Sequence, residues 1–308
     1  MLLRLKILKS MNTKLYHLLA ALVAGIWGTT FVSTKVLLLD GFDPAQIFLL
    51  RFAMAYVLLL LFSLYKTRMG GEHRWFARSW ADECMMAGLG VTGGSFYFLT
   101  ENASMLYTTA TNASLIVCSS PLFATFLLGA LFPSERFGRR QLVGSVLAFG
   151  GMVMVVLNGQ FLLRLSPLGD SLAFCSCLSW VFYSWLVKLV AGRYTSLFIT
   201  RKVFFYGVLT ILPLFATPYT ALPDLSTLLS LKVVGNLLFL GCVASMLCFL
   251  AWNLCMARLG AVSCTNWCYL NPVTTIVFAW AILDEPITFC FLAGAALILG
   301  GLYIMGKK

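Results

Sequence analysis

The length of its apolar runs constrains this chain more than any other feature. They extend for about 20 residues at a time, enough at a rise of 1.5 Å per residue to cross a hydrocarbon layer about 30 Å thick. Ten such runs fit the sequence: 15–38, 46–65, 84–106, 109–131, 141–158, 169–190, 199–217, 233–256, 262–283 and 288–306. Only 11% of the 308 residues are charged and 60% are hydrophobic, so no sizeable soluble domain remains. Short connections carry the breakers Asp43-Pro44, Gly70-Gly71, Pro133, Pro167, Pro218, Pro223 and Pro286. The first run follows Arg4, Lys6, Lys9 and Lys14. It is too long for the apolar core of a signal peptide and reads as an uncleaved span.

The formal net charge of +11 would suggest nucleic acid in a soluble protein. Its distribution gives a different account. Successive spans alternate sides. Apart from Lys35, Arg51 and Lys188, the Lys and Arg residues lie outside the spans or at their ends. All of those except Arg164 and Lys232 then fall on the side of the N-terminus. Loops that keep Lys and Arg are cytoplasmic, which places both termini there and requires an even number of spans. The ten cysteines lie in or at the edge of apolar runs and read as small packing residues. Cys264 and Cys268 share a helical face, but no His or acid accompanies them. The sequence offers no metal motif, phosphate-cradling loop or nucleophile constellation, so neither an enzyme nor a cofactor is expected.

The two halves echo each other. Trp27 and Lys35 in span one match Trp180 and Lys188 in span six. Pro121 followed by Glu135 matches Pro272 followed by Glu285, and Gly150-Gly151 matches Gly300-Gly301. A unit of five spans begins on one side and ends on the other, so the second unit lies upside down relative to the first. The expected fold is an all-α integral membrane protein of ten transmembrane helices. Residues 1–158 and 159–308 form two inverted five-helix repeats, an architecture of secondary transporters with a midplane site.

The order resembles the EamA-type permeases of the drug/metabolite transporter superfamily. The likeness is carried by Ile26-Trp27-Gly28, Leu50-Arg51-Phe52, the run from Ala103 to Phe123 with Thr111 to Ile116 and Ser120-Pro121, and Glu135 with Gln141 and Gly144. Asn271-Pro272, Asp284-Glu285-Pro286 and Gly294 extend it into the second half. It implies a carrier of the bacterial inner membrane that moves amino acids or other small amine-bearing metabolites, with export the expected direction. A flippase for a lipid-linked or amphipathic molecule is an alternative use of the same fold.

Glu101 in span three is the most informative residue, because an ionisable group inside a span usually faces a cavity or a partner. It lies near the outer end of the span and is a candidate for proton coupling or for holding a substrate ammonium; reach to the outer interface, or a structural pairing with Lys35 or Arg51, is the competing account. Trp27 and Trp180 sit near the centres of their spans rather than at the interfaces, and Tyr97, Tyr183 and Tyr269 join them as candidate walls. Asn112, Ser119 and Asn266 are candidate polar contacts near Pro121 and Pro272, where a proline frees a backbone carbonyl and kinks the helix. Ordinary packing and kink satisfaction compete with each of these roles. Lys35, Lys188 and Arg51 are expected to snorkel from the outer ends of their spans.

Overall fold

A computed structural model of the chain describes residues 2–69, 74–135, 138–157, 166–217, 228–283 and 288–306. Among them every regular element is helical. The α-helices are α1 (Leu2–Leu39), α2 (Pro44–Arg68), α3 (Trp80–Gly90), α4 (Phe96–Tyr107), α5 (Ala110–Val117), α6 (Ser120–Leu131) and α7 (Arg139–Leu157). They continue with α8 (Pro167–Val190), α9 (Ser196–Ile211), α10 (Leu231–Leu238), α11 (Cys248–Leu259), α12 (Ala261–Thr265), α13 (Asn271–Leu283) and α14 (Phe289–Gly306). Among the described residues six helical stretches are long and apolar enough to cross a membrane: Thr13–Leu39, Pro44–Arg68, Ala113–Leu131, Pro167–Val190, Ser196–Ala216 and Leu231–Leu259.

Local sequence explains where several helices begin. The Asp43 carboxylate accepts from the backbone N–H of Ala45 and Gln46, and the Gln46 side chain reaches back to the Asp43 N–H, so Asp-Pro-x-Gln forms a capping box with proline in the first turn. Ser79, Ser166 and Thr195 cap α3, α8 and α9 in the same sense, each side chain accepting a backbone N–H of the first turn.

Four of the expected uninterrupted runs are broken. A π-helical turn at Val91–Ser95 joins α3 to α4, and a longer π segment at Phe239–Leu247 joins α10 to α11. The run 109–131 changes course between Val117 and Ser120, just before Pro121. The run 262–283 passes through a 3-10 segment, Asn266–Leu270, just before Pro272. Hydropathy averages over a window and cannot register such changes of winding.

Glycines set the closest helix contacts. A Cβ on Gly93 would lie 2.2 Å from the Tyr183 ring, and one on Gly90 would lie 2.4 Å from Tyr206 Cβ. Helix α7 packs on α14 through Gly144 and Gly151 against Gly301 and Gly294, where an added Cβ would come within 2.7 Å of the facing carbonyl. Gly150 and Gly300, the other members of the two glycine pairs, have no atom nearer than 3.9 Å to an added Cβ and do not set this contact. The main buried cluster draws on α1, α2, α4, α8, α9 and α11, with Trp27, Phe52, Phe98, Trp180, Phe204, Phe249 and Trp252 among its aromatic members. Asp284, Glu285 and Pro286 lie outside the described residues, as do Arg136 and Arg164.

Candidate functional site

Side chains from α1, α2, α4, α8 and α11 converge on an aromatic cage. Trp27 meets Trp180 edge-on, with ring centroids 5.4 Å apart and planes at 89°. Trp27 also contacts Phe249 and Trp252, at 5.4 and 4.8 Å. Tyr97 lies 5.3 Å from Trp180, and Tyr183 stacks on the Trp180 ring at 4.8 Å. These rings enclose a cavity of about 30 Å³, lined by Trp27, Tyr97, Glu101, Trp180, Arg51, Asn271 and neighbouring side chains. By the same measure a water molecule needs roughly 10–15 Å³, so the aromatic walls must part before a metabolite can enter.

Polar groups in this cage are unusual for a membrane interior. Arg51 is 1% exposed and Glu101 5% exposed. The Arg51 Nε donates to Ser245 Oγ at 3.0 Å, and its guanidinium lies over the Phe98 ring, 4.4 Å from the centroid. The Glu101 carboxylate accepts from the Tyr97 hydroxyl at 2.8 Å. No salt bridge joins Arg51 and Glu101, although both line the cavity. Three cavity-lining atoms are buried without a hydrogen-bond partner: Arg51 Nη1, Trp180 Nε1 and Asn271 Oδ1. Buried polar atoms are normally paired, and leaving one unpaired costs about 1–3 kcal/mol.

The π segment explains why Trp27 and Arg51 find partners here. It presents the Ala244 carbonyl to Trp27 Nε1, at 2.9 Å, and the Ser245 hydroxyl to Arg51. The matching turn at Val91–Ser95 offers the Thr92 carbonyl to Ser179 Oγ at 2.8 Å, while the adjacent Trp180 indole is left unpaired.

Of the residues singled out in the sequence, Trp27, Tyr97, Glu101 and Trp180 line the cavity, and Tyr183 backs Trp180 with its hydroxyl donating to Asn253 at 2.7 Å. Ser119, Asn266 and Tyr269 are buried but do not line it. Ser119 Oγ donates to the Ile116 carbonyl at 2.6 Å in the bend before Pro121. Tyr269 packs in a separate cluster with Met152, Phe291 and Ile298. The side chain of Asn112 lies outside the described residues.

Two expectations are corrected. Arg51 does not snorkel, because Ser245 and Phe98 hold its guanidinium inside the cage. Lys188 does not reach an outer interface. Its ammonium donates to Glu135 at 2.5 Å, and the Glu135 carboxylate also accepts from the backbone N–H of Val262 at 3.1 Å and of Ala261 at 3.4 Å. Lys35 donates to the Met105 carbonyl at 2.8 Å. Sequence reasoning missed Ser245, Phe249, Trp252 and Asn253. Their run, 233–256, reads as a plain apolar span, and hydropathy does not register the π segment that presents Ser245 to Arg51.

The sequence profile of the EamA-like transporter family matches this chain twice, over residues 14–157 and 167–307. The chain belongs to the EamA-like transporter family. It is a multi-pass membrane protein that transports rather than catalyses, as its relatives are named. It is 28% identical to an uncharacterized transporter of Archaeoglobus fulgidus over 97% of this chain and 99% of the relative. It is 26% identical to a probable amino-acid metabolite efflux pump of Escherichia coli, covering 93% of each. It is 28% identical to a probable terminal-alkyne amino-acid exporter of Streptantibioticus cattleyicolor, covering 92% and 90%. A solved crystal structure, 17% identical over 96% of this chain and 97% of its own, superposes with a TM-score of 0.73 and shares the fold.

Proposed function

We propose that this EamA-like transporter exports an amino acid with an apolar or aromatic side chain by alternating access through the cage. The observation that carries the reading is a buried cation and a buried carboxylate lining one cavity without pairing to each other. Arg51 Nη1 and the Trp180 indole N–H, both without partners, suit a substrate carboxylate. Glu101 and the free Asn271 Oδ1 suit its ammonium. The rings of Trp27, Tyr97, Trp180 and Phe249 suit the side chain. Two relatives named for amino-acid efflux or export support the class of substrate. Glu101 is also the candidate for proton coupling, since no cation among the described residues forms a salt bridge with it.

Ten spans in two inverted repeats, 1–158 and 159–308, with both termini in the cytoplasm of the inner membrane, complete the reading. The double profile match, the paired tryptophans and the two π segments support it. Glu135 then ties the first repeat to the second at the cytoplasmic end, through Lys188 and the first turn of α12, and holds that end closed. This Glu135–Lys188 latch opens as access alternates.

Calorimetry on the purified protein tests the substrate class. Binding of an apolar amino acid, lost when either its amino or its carboxyl group is removed, is the expected result. Equal binding of the corresponding amine would refute the Arg51 assignment. One observation favours a second reading, a flippase for an amphipathic molecule. An apolar groove of about 880 Å³ runs along α1, α10 and α13, with Lys232 and Asn236 near one end. Lipid-headgroup translocation without amino-acid binding would establish that reading instead.

A further inference from the structure

A second pocket lies at the end of the molecule that carries most of its Lys and Arg residues. It occupies about 370 Å³ between the C-terminal end of α2 and the N-terminus of α9, and is lined by Ser63, Lys66, Arg74, Thr195, Phe198 and Arg201 with Met69 and Leu197. Arg201 is fixed in orientation. Its guanidinium lies over the Trp75 ring at 4.6 Å and near the Phe198 ring at 5.6 Å, and Nη2 donates to the Arg74 carbonyl at 2.5 Å. Lys66 stands one turn beyond Ser63 on the same face of α2. Thr195 caps the 16-residue helix α9, and Leu197 and Phe198 lie in its first turn, so the positive dipole end of the helix opens on the pocket. Ser63 supplies an independent sign of a ligand. Its side chain is 4% exposed, it lines the pocket, and its Oγ has no hydrogen-bond partner.

The surroundings decide which anion this pocket takes. Both helices that form it are long and apolar enough to cross a membrane. Met69 lines it, the Phe62 ring lies under Lys66 at 5.6 Å and the Trp75 ring under Arg201, and all three are exposed. Aromatic and apolar side chains grouped with cations at the end of membrane-crossing helices mark the plane of lipid headgroups, and basic pockets between such helices hold anionic headgroups. A soluble anion would gain nothing from that exposed apolar rim, whereas acyl chains would lie against it.

We infer that this pocket binds the phosphate headgroup of an anionic phospholipid from the basic-side leaflet, with Lys66, Arg74 and Arg201 around the phosphate and the Ser63 hydroxyl donating to it. The site is separate from the aromatic cage and shares no residue with it.

Native mass spectrometry of the full-length protein, delipidated in detergent and titrated with phosphatidylglycerol or phosphatidylcholine of the same chain length, tests the inference. Phosphatidylglycerol is expected to bind in preference. Lys66→Gln should weaken it about fivefold, the contribution of one basic residue near an anionic lipid, and Ser63→Leu should weaken it without changing any charge. Inorganic phosphate and glycerol phosphate should compete poorly. Equal binding of the two lipids, no effect of either variant, or binding of inorganic phosphate as tight as that of the lipid would each overturn the assignment. Lys66 lies on the surface, so its variant keeps the test valid even if Ser63→Leu fails to fold.

Discussion

Trp27 and Trp180 meet edge to face across the central cavity, yet only Trp27 has a partner for its indole N–H, the Ala244 carbonyl. This difference between two residues at matching places in the halves of the chain separates a structural tryptophan from one available to a ligand. Trp27→Phe should lower stability by about 1–3 kcal/mol, the usual cost of stranding a buried polar group. Trp180→Phe removes an unpaired donor, keeps the ring, and should leave the melting temperature of the free protein nearly unchanged while weakening substrate binding. Thermal unfolding of both variants in detergent, with and without amino acid, reads both effects.

Glu101 shares the cavity with Arg51 and accepts one hydrogen bond, from Tyr97. If it carries the coupling proton, Glu101→Gln abolishes the dependence of uptake on a pH gradient, while exchange driven by substrate alone survives at a reduced rate. Flux measured in liposomes with and without an imposed gradient distinguishes this from a purely structural loss, which would remove both.

Gly260 adopts a φ of +88° at the junction of α11 and α12, and a Cβ there would lie 3.0 Å from Glu135 Oε1. Gly260→Ala therefore meets both a left-handed backbone and the carboxylate that bridges Lys188 to the first turn of α12. This positive-φ extended conformation, with a ψ of 155°, is essentially restricted to glycine and alone costs roughly 1–3 kcal/mol for alanine. Glu135→Gln, which keeps the shape and weakens the charge-assisted bonds, should cost on the order of 1–3 kcal/mol, less for the half of the pair that solvent reaches. Both should also raise the labelling rate of a cysteine placed at Ser263, beside the latch, by a membrane-impermeant thiol reagent added from the basic side, measured in a background without reactive thiols.

Glu83, just before the third apolar run, accepts from Lys202, from the Tyr206 hydroxyl at 2.6 Å and from the Ala77 N–H at 2.6 Å. Burial raises its pKa, but these bonds outweigh that effect and hold the carboxyl below its ordinary value. A depressed folded-state pKa stabilises at pH values above the unfolded-state pKa, and the contribution is lost as the pH falls through the folded-state value. Glu83→Gln should be less stable than wild type at neutral pH, and the two should converge in acid. Melting curves across pH provide the check.

The apolar runs made the all-helical membrane class legible, because run length alone reports the thickness of a hydrocarbon layer. Trp27 and Trp180 near the centres of their runs, and Glu101 inside a run near its outer end, are unexpected there and flagged, together with Tyr97, four of the cavity's lining residues. Arg51 was visible too, but distance from the end of a run does not tell whether a guanidinium turns to water or inward; that depended on Ser245, which the π segment presents. Asn266 and Tyr269 show the converse. They flank Pro272 as the sequence suggested, but the 3-10 winding of Asn266–Leu270 does not bring them to the cavity, and helical spacing read from sequence assumed regular turns.

The most direct test of the central claim is counterflow of labelled amino acids by the purified protein in liposomes. Saturable exchange that is accelerated by unlabelled apolar amino acid on the opposite side, and that falls sharply in Arg51→Gln, is the predicted result. Folded protein that exchanges no amino acid, or passes it in linear proportion to concentration without stimulation from the opposite side, would contradict an amino-acid carrier working by alternating access.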